Sequence, residues 1–232
     1  MNPRRQLFVT GLFLLLSFAW FELTPTDLWL QALLYDASRQ AWVWSNKEPV
    51  TRFLLYDGAK GLLVLFALGL MISLAFCRRW PRLTSHCRGI RIVVLSLILV
   101  PLIVAGLKTA TNVACPRSLV LFGGELPYIK VLEKYPAGAR PKSIQRCFPA
   151  SHASGGFALM SLMFLFRTSR GRRLALASGV MIGWIIGGYK MAIGDHFFSH
   201  TLTSMLLAWF VINLIVIVDG FIFANPGGGR RV

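Results

Sequence analysis

The stretch from residue 194 to residue 218 reads GDHFFSHTLTSMLLAWFVINLIVIV. It opens with a polar turn and continues as an apolar run that is long enough to cross about 30 Å of hydrocarbon as a helix. A second loop of the same kind, Pro149-Ala150-Ser151-His152, also runs into an apolar segment. His152 and His196 therefore stand where loops enter apolar helices. If both loops open on one face of a membrane, the two imidazoles share a site.

The composition places most of the chain in a bilayer. Hydrophobic residues make up 55% of the sequence, and the mean hydropathy is +0.60. Apolar windows predict six membrane spans at roughly 7–24, 59–77, 90–107, 153–168, 174–189 and 197–218. The fourth span barely fills a hydropathy window of about 19 residues. The predicted fold class is all-α, a polytopic bundle of six transmembrane helices that forms one integral membrane domain over residues 1–232.

Clusters of arginine predict the orientation, because short loops rich in Lys and Arg stay in the cytoplasm. The acid-free clusters are Arg4 and Arg5, then Arg78, Arg79, Arg82, Arg88 and Arg91, then Arg167, Arg170, Arg172 and Arg173, with Arg230 and Arg231 at the end. Both termini are therefore expected in the cytoplasm of a bacterial cell. The loops at 25–58, 108–152 and 190–196 are expected on the periplasmic side of the inner membrane.

The net charge of +16 follows from this topological signal and from attraction to anionic phospholipid headgroups. The sequence has no basic stripe with interleaved aromatic residues, so nucleic acid is not an expected partner. The sequence leaves the oligomeric state open.

Two outward segments are long enough to have structure of their own. Residues 26–48 are typical of an interfacial helix with tryptophans at headgroup depth, acting either as a connector or as a lid that guides the substrate. Residues 108–152 are too long for a plain connector, and such loops are usually functional or disordered.

Small residues predict close packing of the last three spans. Gly179, Gly183 and Gly187 recur every four residues, and a face of this kind lets a neighbouring backbone approach closely. The outer ends of spans three to six would then meet and bring together Lys108, Arg117, Ser151, His152, Lys190, Asp195 and His196. Two helix amino ends and three cations at one place favour a bound phosphate. Phosphoryl transfer at such a site requires no metal or other cofactor.

These residues resemble the motifs of the type 2 phosphatidic acid phosphatase superfamily, which includes bacterial membrane lipid phosphatases. The resemblance covers about residues 90–218. The family motifs K-x6-R-P, P-S-G-H and S-R-x5-H-x3-D correspond here to Lys108-x6-Cys115-Pro116, Pro149-Ala150-Ser151-His152 and Lys190-x5-His196-x3-His200. The resemblance implies a six-helix bundle with the three motifs at the outer helix ends.

The resemblance also implies roles for individual residues. His196 would be the nucleophile that forms a phosphohistidine, and His152 would protonate the leaving oxygen and later activate water. Lys108, Lys190 and backbone amides near Ser151 would hold the phosphate.

Several positions depart from the family motifs. Cys115 replaces an arginine, and Arg117 is expected to take that role unless it only binds headgroups. Ala150 and Ser151 stand for serine and glycine, and Lys190 stands for arginine, which exchanges a bidentate fork for a point charge.

A further departure is His200, which occupies the position of an aspartate. One helical turn from His196, it can orient the nucleophile's ring but brings no negative charge. Asp195 is expected first to cap span six and second to substitute for that acid. The spacing of His196 and His200 also permits a zinc pair with His152 or Asp195 as third ligand, although the surrounding cations oppose it.

The four cysteines divide evenly across the predicted membrane. Cys77 and Cys87 lie on the cytoplasmic side, and Cys115 and Cys147 lie on the outer side. Because the periplasm is oxidising, we expect a disulfide between Cys115 and Cys147 that joins the first two motifs. The alternative is two free thiols.

The sequence therefore predicts a membrane lipid phosphatase that hydrolyses a phosphomonoester or diphosphate of an amphiphilic lipid at the outer leaflet. One alternative is a lipid phosphotransferase that uses the same phosphohistidine. Another is a lipid-phosphate binding or transport protein on a catalytically decayed scaffold. A channel or secondary transporter is disfavoured, because no span carries a charge pair at mid-depth. The sequence does not identify the lipid.

Overall fold

The computed structural model describes residues 2–224, apart from the side chains of residues 56, 82 and 224, and these residues are mostly helical. The elements are α1 (Pro3–Leu23), α2 (Thr26–Ala32), β1 (Tyr35–Asp36), β2 (Ala41–Trp42), α3 (Pro49–Arg52), α4 (Gly58–Phe76), α5 (Pro81–Thr84), α6 (Cys87–Ala110), α7 (Ser151–Ala158), α8 (Ser169–Ala192) and α9 (Phe198–Ala224). A π-helical segment, Phe53–Asp57, joins α3 to α4, and 3₁₀ segments lie at Pro116–Ser118, Val120–Phe122 and Leu159–Leu165. Arg230 and Arg231 lie outside the described residues.

Five helices are long and apolar enough to cross a membrane. They are Pro3–Leu23, Pro49–Phe76, Cys87–Ala110, Ser169–Ala192 and Phe198–Phe223, which confirms five of the predicted spans. Their outward faces carry large apolar side chains, such as Leu15, Leu65 and Ile72, each more than 60% exposed. Contiguous exposed apolar surface of this kind is suited to lipid and not to water, so the protein is a membrane protein.

The predicted fourth span coincides with a shorter apolar segment, Ser151–Leu165. It begins as the α-helix α7 and continues as a 3₁₀-helix over Leu159–Leu165. A 3₁₀-helix rises about 2 Å per residue and an α-helix about 1.5 Å, so the segment reaches roughly 26 Å. Because this falls short of the hydrocarbon thickness of about 30 Å, the sixth span stays a prediction.

The core lies where α6, α7 and α9 meet. Val93 and Val100 of α6, Phe157 of α7 and Ile212 of α9 are fully buried against one another. Helix α8 packs on α7 through the glycines that the sequence singled out, and a Cβ at Gly183 would lie 2.1 Å from the Phe157 ring. The predicted close packing of these helices is therefore confirmed.

The outer segment at 26–48 differs from the single interfacial helix that we predicted. Only α2 is helical; after it, Tyr35 pairs with Trp42 in an antiparallel hairpin. Asp36 Oδ1 accepts the N–H groups of Ser38 and Arg39 at 2.9 and 3.2 Å, and this turn ends the helical path. Trp42 packs against Tyr35 and Phe122, with ring centroids 4.9 and 5.4 Å away, so it belongs to a small aromatic cluster.

The long loop between α6 and α7 is anchored at several points. Val120 and Leu126 are joined by a backbone hydrogen bond of 2.9 Å, and the Val131 N–H donates to Glu22 Oε1 at 2.8 Å. The Arg117 N–H donates to the Gly194 carbonyl at 3.0 Å. The loop is therefore attached both to the end of α1 and to the loop that carries His196.

Candidate active site

The loop between α8 and α9 carries His196 and is held by its own backbone. The N–H groups of Asp195 and His196 both donate to the Lys190 carbonyl, at 2.8 and 3.3 Å. Gly194 has a φ of +75°, which glycine adopts without strain. A Cβ at this glycine would lie 2.4 Å from the Trp42 indole. These contacts fix His196, which is only 2% exposed.

The start of α9 is capped by a residue from far away in the chain. Asp27 Oδ1 accepts the Ser199 N–H at 2.9 Å, and Asp27 Oδ2 accepts the Ser199 hydroxyl. Burial raises the pKa of Asp27 to about 6, although the hydrogen bonds from Ser199 oppose this rise. The prediction that Asp195 caps this helix is wrong, because neighbouring cations hold the Asp195 carboxylate.

His152 and His196 face each other at the same end of the bundle. His152 lies in the first turn of α7, and its ring centroid is 6.0 Å from that of His196. In phosphoryl transfer the nucleophile lies about 3–3.5 Å from phosphorus, and the general acid lies within about 3.2 Å of the leaving oxygen. A distance of 6.0 Å between the two ring centroids is consistent with both requirements. The two imidazoles therefore suit the opposite sides of one phosphoryl group.

Backbone contacts join the second motif to the third. The Ala150 N–H donates to the His200 carbonyl at 3.2 Å, which sets the start of α7 against the first turn of α9. Ser151 Oγ is buried and has no hydrogen-bond partner within residues 2–224. A hydroxyl in this state, at the amino end of a helix, can donate to a bound anion.

The predicted phosphate-binding cations gather around Asp195. Arg117 Nη1 lies 2.6 Å from Asp195 Oδ1, and Lys190 Nζ lies 2.8 Å from Asp195 Oδ2. Lys108, in the last turn of α6, is near enough to interact electrostatically with both Lys190 and Asp195. The structure thus brings Lys108, Arg117 and Lys190 together around Asp195, which we had expected to cap the sixth span.

The surroundings of His196 keep its imidazole neutral. Burial, followed by the nearby His200 and Lys108, lowers the pKa of His196 well below its usual range. A neutral ring retains a nitrogen lone pair at physiological pH, which nucleophilic attack requires.

His200 contacts the nucleophile through its ring. The His196 and His200 centroids are 5.7 Å apart in an edge-to-face arrangement, and Phe148 and Phe197 enclose His200 at 5.2 and 5.3 Å. Within the described part of the chain, His200 Nδ1 has no hydrogen-bond partner. His200 therefore packs against His196 but does not contribute the carboxylate that the family motif has at this position.

A disulfide joins the first and second motifs in the structure. Cys115 and Cys147 are bonded, with their Cα atoms 5.2 Å apart, and Cys147 Sγ lies 3.6 Å from His196 Nδ1. A crosslink that closes a loop of this length contributes about 3–4 kcal/mol in the chain-entropy model. The bond also holds the Arg117 turn beside the nucleophile.

Ligand atoms of Cys147, His196 and His200 lie within 4.8 Å of one another. The third member of this group is Cys147, whereas the sequence suggested His152 or Asp195. While Cys147 is bonded to Cys115, its sulfur is not a thiolate, and two histidines fall short of the three protein ligands of a catalytic zinc site. The residues do not fit a resident zinc ion in the oxidised protein.

An apolar cavity of about 320 Å³ reaches the site from between the helices. Its walls include the apolar residues Leu55, Leu63, Val64, Leu97 and Ile186 and the polar residues Lys60, Ser151 and His152. The apolar walls suit a hydrocarbon tail, and Lys60 and Ser151 on the same walls suit an anionic head.

Apolar helices with paired histidines and clustered cations at one end define a membrane protein with a candidate site for a phosphate group. The family model of the PAP2 superfamily matches residues 89–222, which is more than half of the chain and includes all three motifs. The chain belongs to the PAP2 superfamily, whose members are generally phosphatases. Neither a curated protein nor a solved structure matches the chain.

Proposed function

We propose that the protein is a metal-independent lipid phosphatase of the bacterial inner membrane. It hydrolyses a phosphomonoester or diphosphate of an amphiphilic lipid at the outer leaflet, with both termini in the cytoplasm. The observation that carries the proposal is the pair of imidazoles of His152 and His196, whose ring centroids are 6.0 Å apart. The cations Lys108, Arg117 and Lys190 lie beside this pair. The apolar cavity, which has His152 among its lining residues, supports a lipid substrate.

The chemistry follows from the two imidazoles. A nitrogen of neutral His196 attacks phosphorus, and the bond from phosphorus to the leaving oxygen breaks. The negative charge of the bound phosphate favours the protonated form of His152, which donates its proton to that oxygen. Water then attacks the phosphohistidine, His152 accepts its proton, and the N–P bond breaks to release inorganic phosphate. Lys108, Arg117 and Lys190 stabilise the charge on the phosphoryl oxygens during both steps.

A phosphate-release assay tests the proposal. Purified protein would be given a panel of lipid phosphates with and without a chelator, beside the variants His196→Ala and His86→Ala. His86 lies before α6, among the clustered arginines, so His86→Ala is a matched control. We expect turnover that survives chelation, is lost in His196→Ala and is unchanged in His86→Ala.

Other outcomes would contradict the proposal. Binding of lipid phosphate without turnover would indicate a decayed scaffold. Transfer of phosphate to a second lipid, without release of free phosphate, would indicate a phosphotransferase. Turnover that chelation abolishes would exclude the metal-independent mechanism.

A further inference from the structure

A polar cavity of about 290 Å³ lies beside His152, apart from the apolar one. Six other polar residues on its walls are Asn46, Arg52, Arg117, Tyr189, Lys190 and Asp195. Three of these are cations and one is a carboxylate, so the lining carries an excess of positive charge. Such a lining favours an anionic ligand.

Arg52 differs from the other two cations. It comes from α3 in the outer segment and belongs to none of the three motifs. Its Nε lies 3.6 Å from Asp57 Oδ2, and the two side chains are 61% and 53% exposed. An exposed ion pair at this distance contributes little to stability, so a stronger anion can recruit Arg52 at small cost.

Two further donors lie on the same cavity wall. Tyr189 is near enough to Arg52 to interact with it electrostatically, and Asn46 precedes α3. A guanidinium, a phenol and an amide together offer several hydrogen bonds to phosphate oxygens. Lys108, Arg117 and Lys190 already match the charge of one transferred phosphoryl group. Arg52, Asn46 and Tyr189 therefore provide positive charge and hydrogen-bond donors beyond those that a monophosphate requires.

We infer that Arg52, with Asn46 and Tyr189, binds the second phosphate of a lipid diphosphate. The inference rests on the proposed function and names its substrate class. His196 attacks the terminal phosphorus, the bridging P–O bond breaks, and the leaving group is a lipid monophosphate. Arg52 stabilises the negative charge on that leaving group, in the cavity that it shares with His152. After water cleaves the phosphohistidine, the products are the lipid monophosphate and inorganic phosphate.

Paired substrates with one hydrocarbon tail test this subsite. Farnesyl diphosphate and farnesyl monophosphate would be assayed with the wild type, Arg52→Gln and the control Arg39→Gln. Arg39 is also an outer-segment arginine in an exposed pair, 3.6 Å from Asp36. We expect Arg52→Gln to lower kcat/KM for the diphosphate about tenfold or more, as loss of a charge-assisted hydrogen bond does. Turnover of the monophosphate should change less than about twofold, and Arg39→Gln should leave both substrates unchanged.

A second readout does not depend on the tail. Inorganic diphosphate should inhibit the wild type more strongly than inorganic phosphate, and Arg52→Gln should remove this difference. Equal effects of Arg52→Gln on both farnesyl substrates, or no effect on either, would overturn the inference and leave the proposed function standing. Failure of the wild type to release phosphate from these two substrates and from every lipid phosphate of the panel would overturn both.

Discussion

Asp195 and His196 are neighbours in sequence but have different roles in the candidate site. Asp195 bridges Arg117 and Lys190, while His196 is buried against His152 and His200. The carboxylate keeps two buried or half-buried cations at fixed positions, which limits the mutual repulsion that would otherwise separate them. A phosphate that enters the site competes with Asp195 for the same donors.

Position 200 tests how the nucleophile is oriented. The variant His200→Asp should preserve or raise kcat, because a carboxylate there can accept a hydrogen bond from His196 and stabilise its cationic form. His200→Ala should lower kcat about tenfold to hundredfold with little change in KM, since a loosened ring is misplaced but the cations still hold phosphate. Steady-state kinetics of the two variants measure this split. An inactive His200→Asp would show that position 200 does more than orient His196.

The sequence predicted the residues that carry motifs and missed those that act from a distance. Lys108, Arg117, His152, Lys190 and His196 were found because each stands at a polar-to-apolar boundary or in a motif. The capping of α9 by Asp27 joins residues 172 positions apart, and no local pattern records such a contact. The same holds for the approach of Cys147 to His196.

The hairpin of β1 and β2 supports the loop that carries the nucleophile. The Trp44 N–H donates to the Ala192 carbonyl at 3.3 Å, and Gln31 Nε2 donates to the Met191 carbonyl at 2.9 Å. Trp42 lies against Gly194. The outer segment thus contacts the last two residues of α8 and Gly194 in the turn before His196, which gives it a positioning role.

Substitution of Gly194 tests this role. Gly194→Ala places a Cβ against the Trp42 indole at a φ of +75°, so we expect a loss of stability above about 1 kcal/mol and a fall in kcat. The control is Gly188→Ala, in the same last turns of α8, where a Cβ meets nothing within 4 Å. Thermal unfolding and phosphate release measure the two effects. Equal behaviour of the two variants would argue against a positioning role for the outer segment.

The sequence predicted the long apolar helices well but did not predict the short hairpin of β1 and β2. Hydropathy identifies α1, α6, α8 and α9 because lipid contact requires an apolar surface along the whole helix. The hairpin at 35–42 has only two paired residues on each strand. Its stability comes from rings contributed by the 108–152 loop, such as Phe122, and tertiary contacts of this kind override the local pattern.

The whole molecule carries one cysteine pair at each end. Cys77 and Cys87 lie within bonding distance of each other at the arginine-rich end, with Cα atoms 5.7 Å apart, and Cys115 and Cys147 are joined at the histidine end. Only one of these ends faces an oxidising compartment in the proposed orientation.

Thiol mapping therefore reports the orientation of the protein. Cells would be quenched with an alkylating agent in denaturant, without reductant, before peptide mass analysis. We expect alkylated Cys77 and Cys87 together with a crosslinked Cys115–Cys147 peptide, because the cytoplasm keeps thiols reduced. The reverse pattern, a crosslinked Cys77–Cys87 and two alkylated outer cysteines, would invert the proposed topology.

The short segment Ser151–Leu165 also affects the lipid around it. If it spans the bilayer as predicted, a segment of roughly 26 Å beside helices of 24 residues, such as α6 and α8, would leave a hydrophobic mismatch that the bilayer relieves by thinning locally. The thinning would be greatest at the helix that starts with Ser151 and His152, and it would bring nearby lipid headgroups closer to the histidines. The membrane itself would then lower the cost of lifting a phosphate out of the lipid layer.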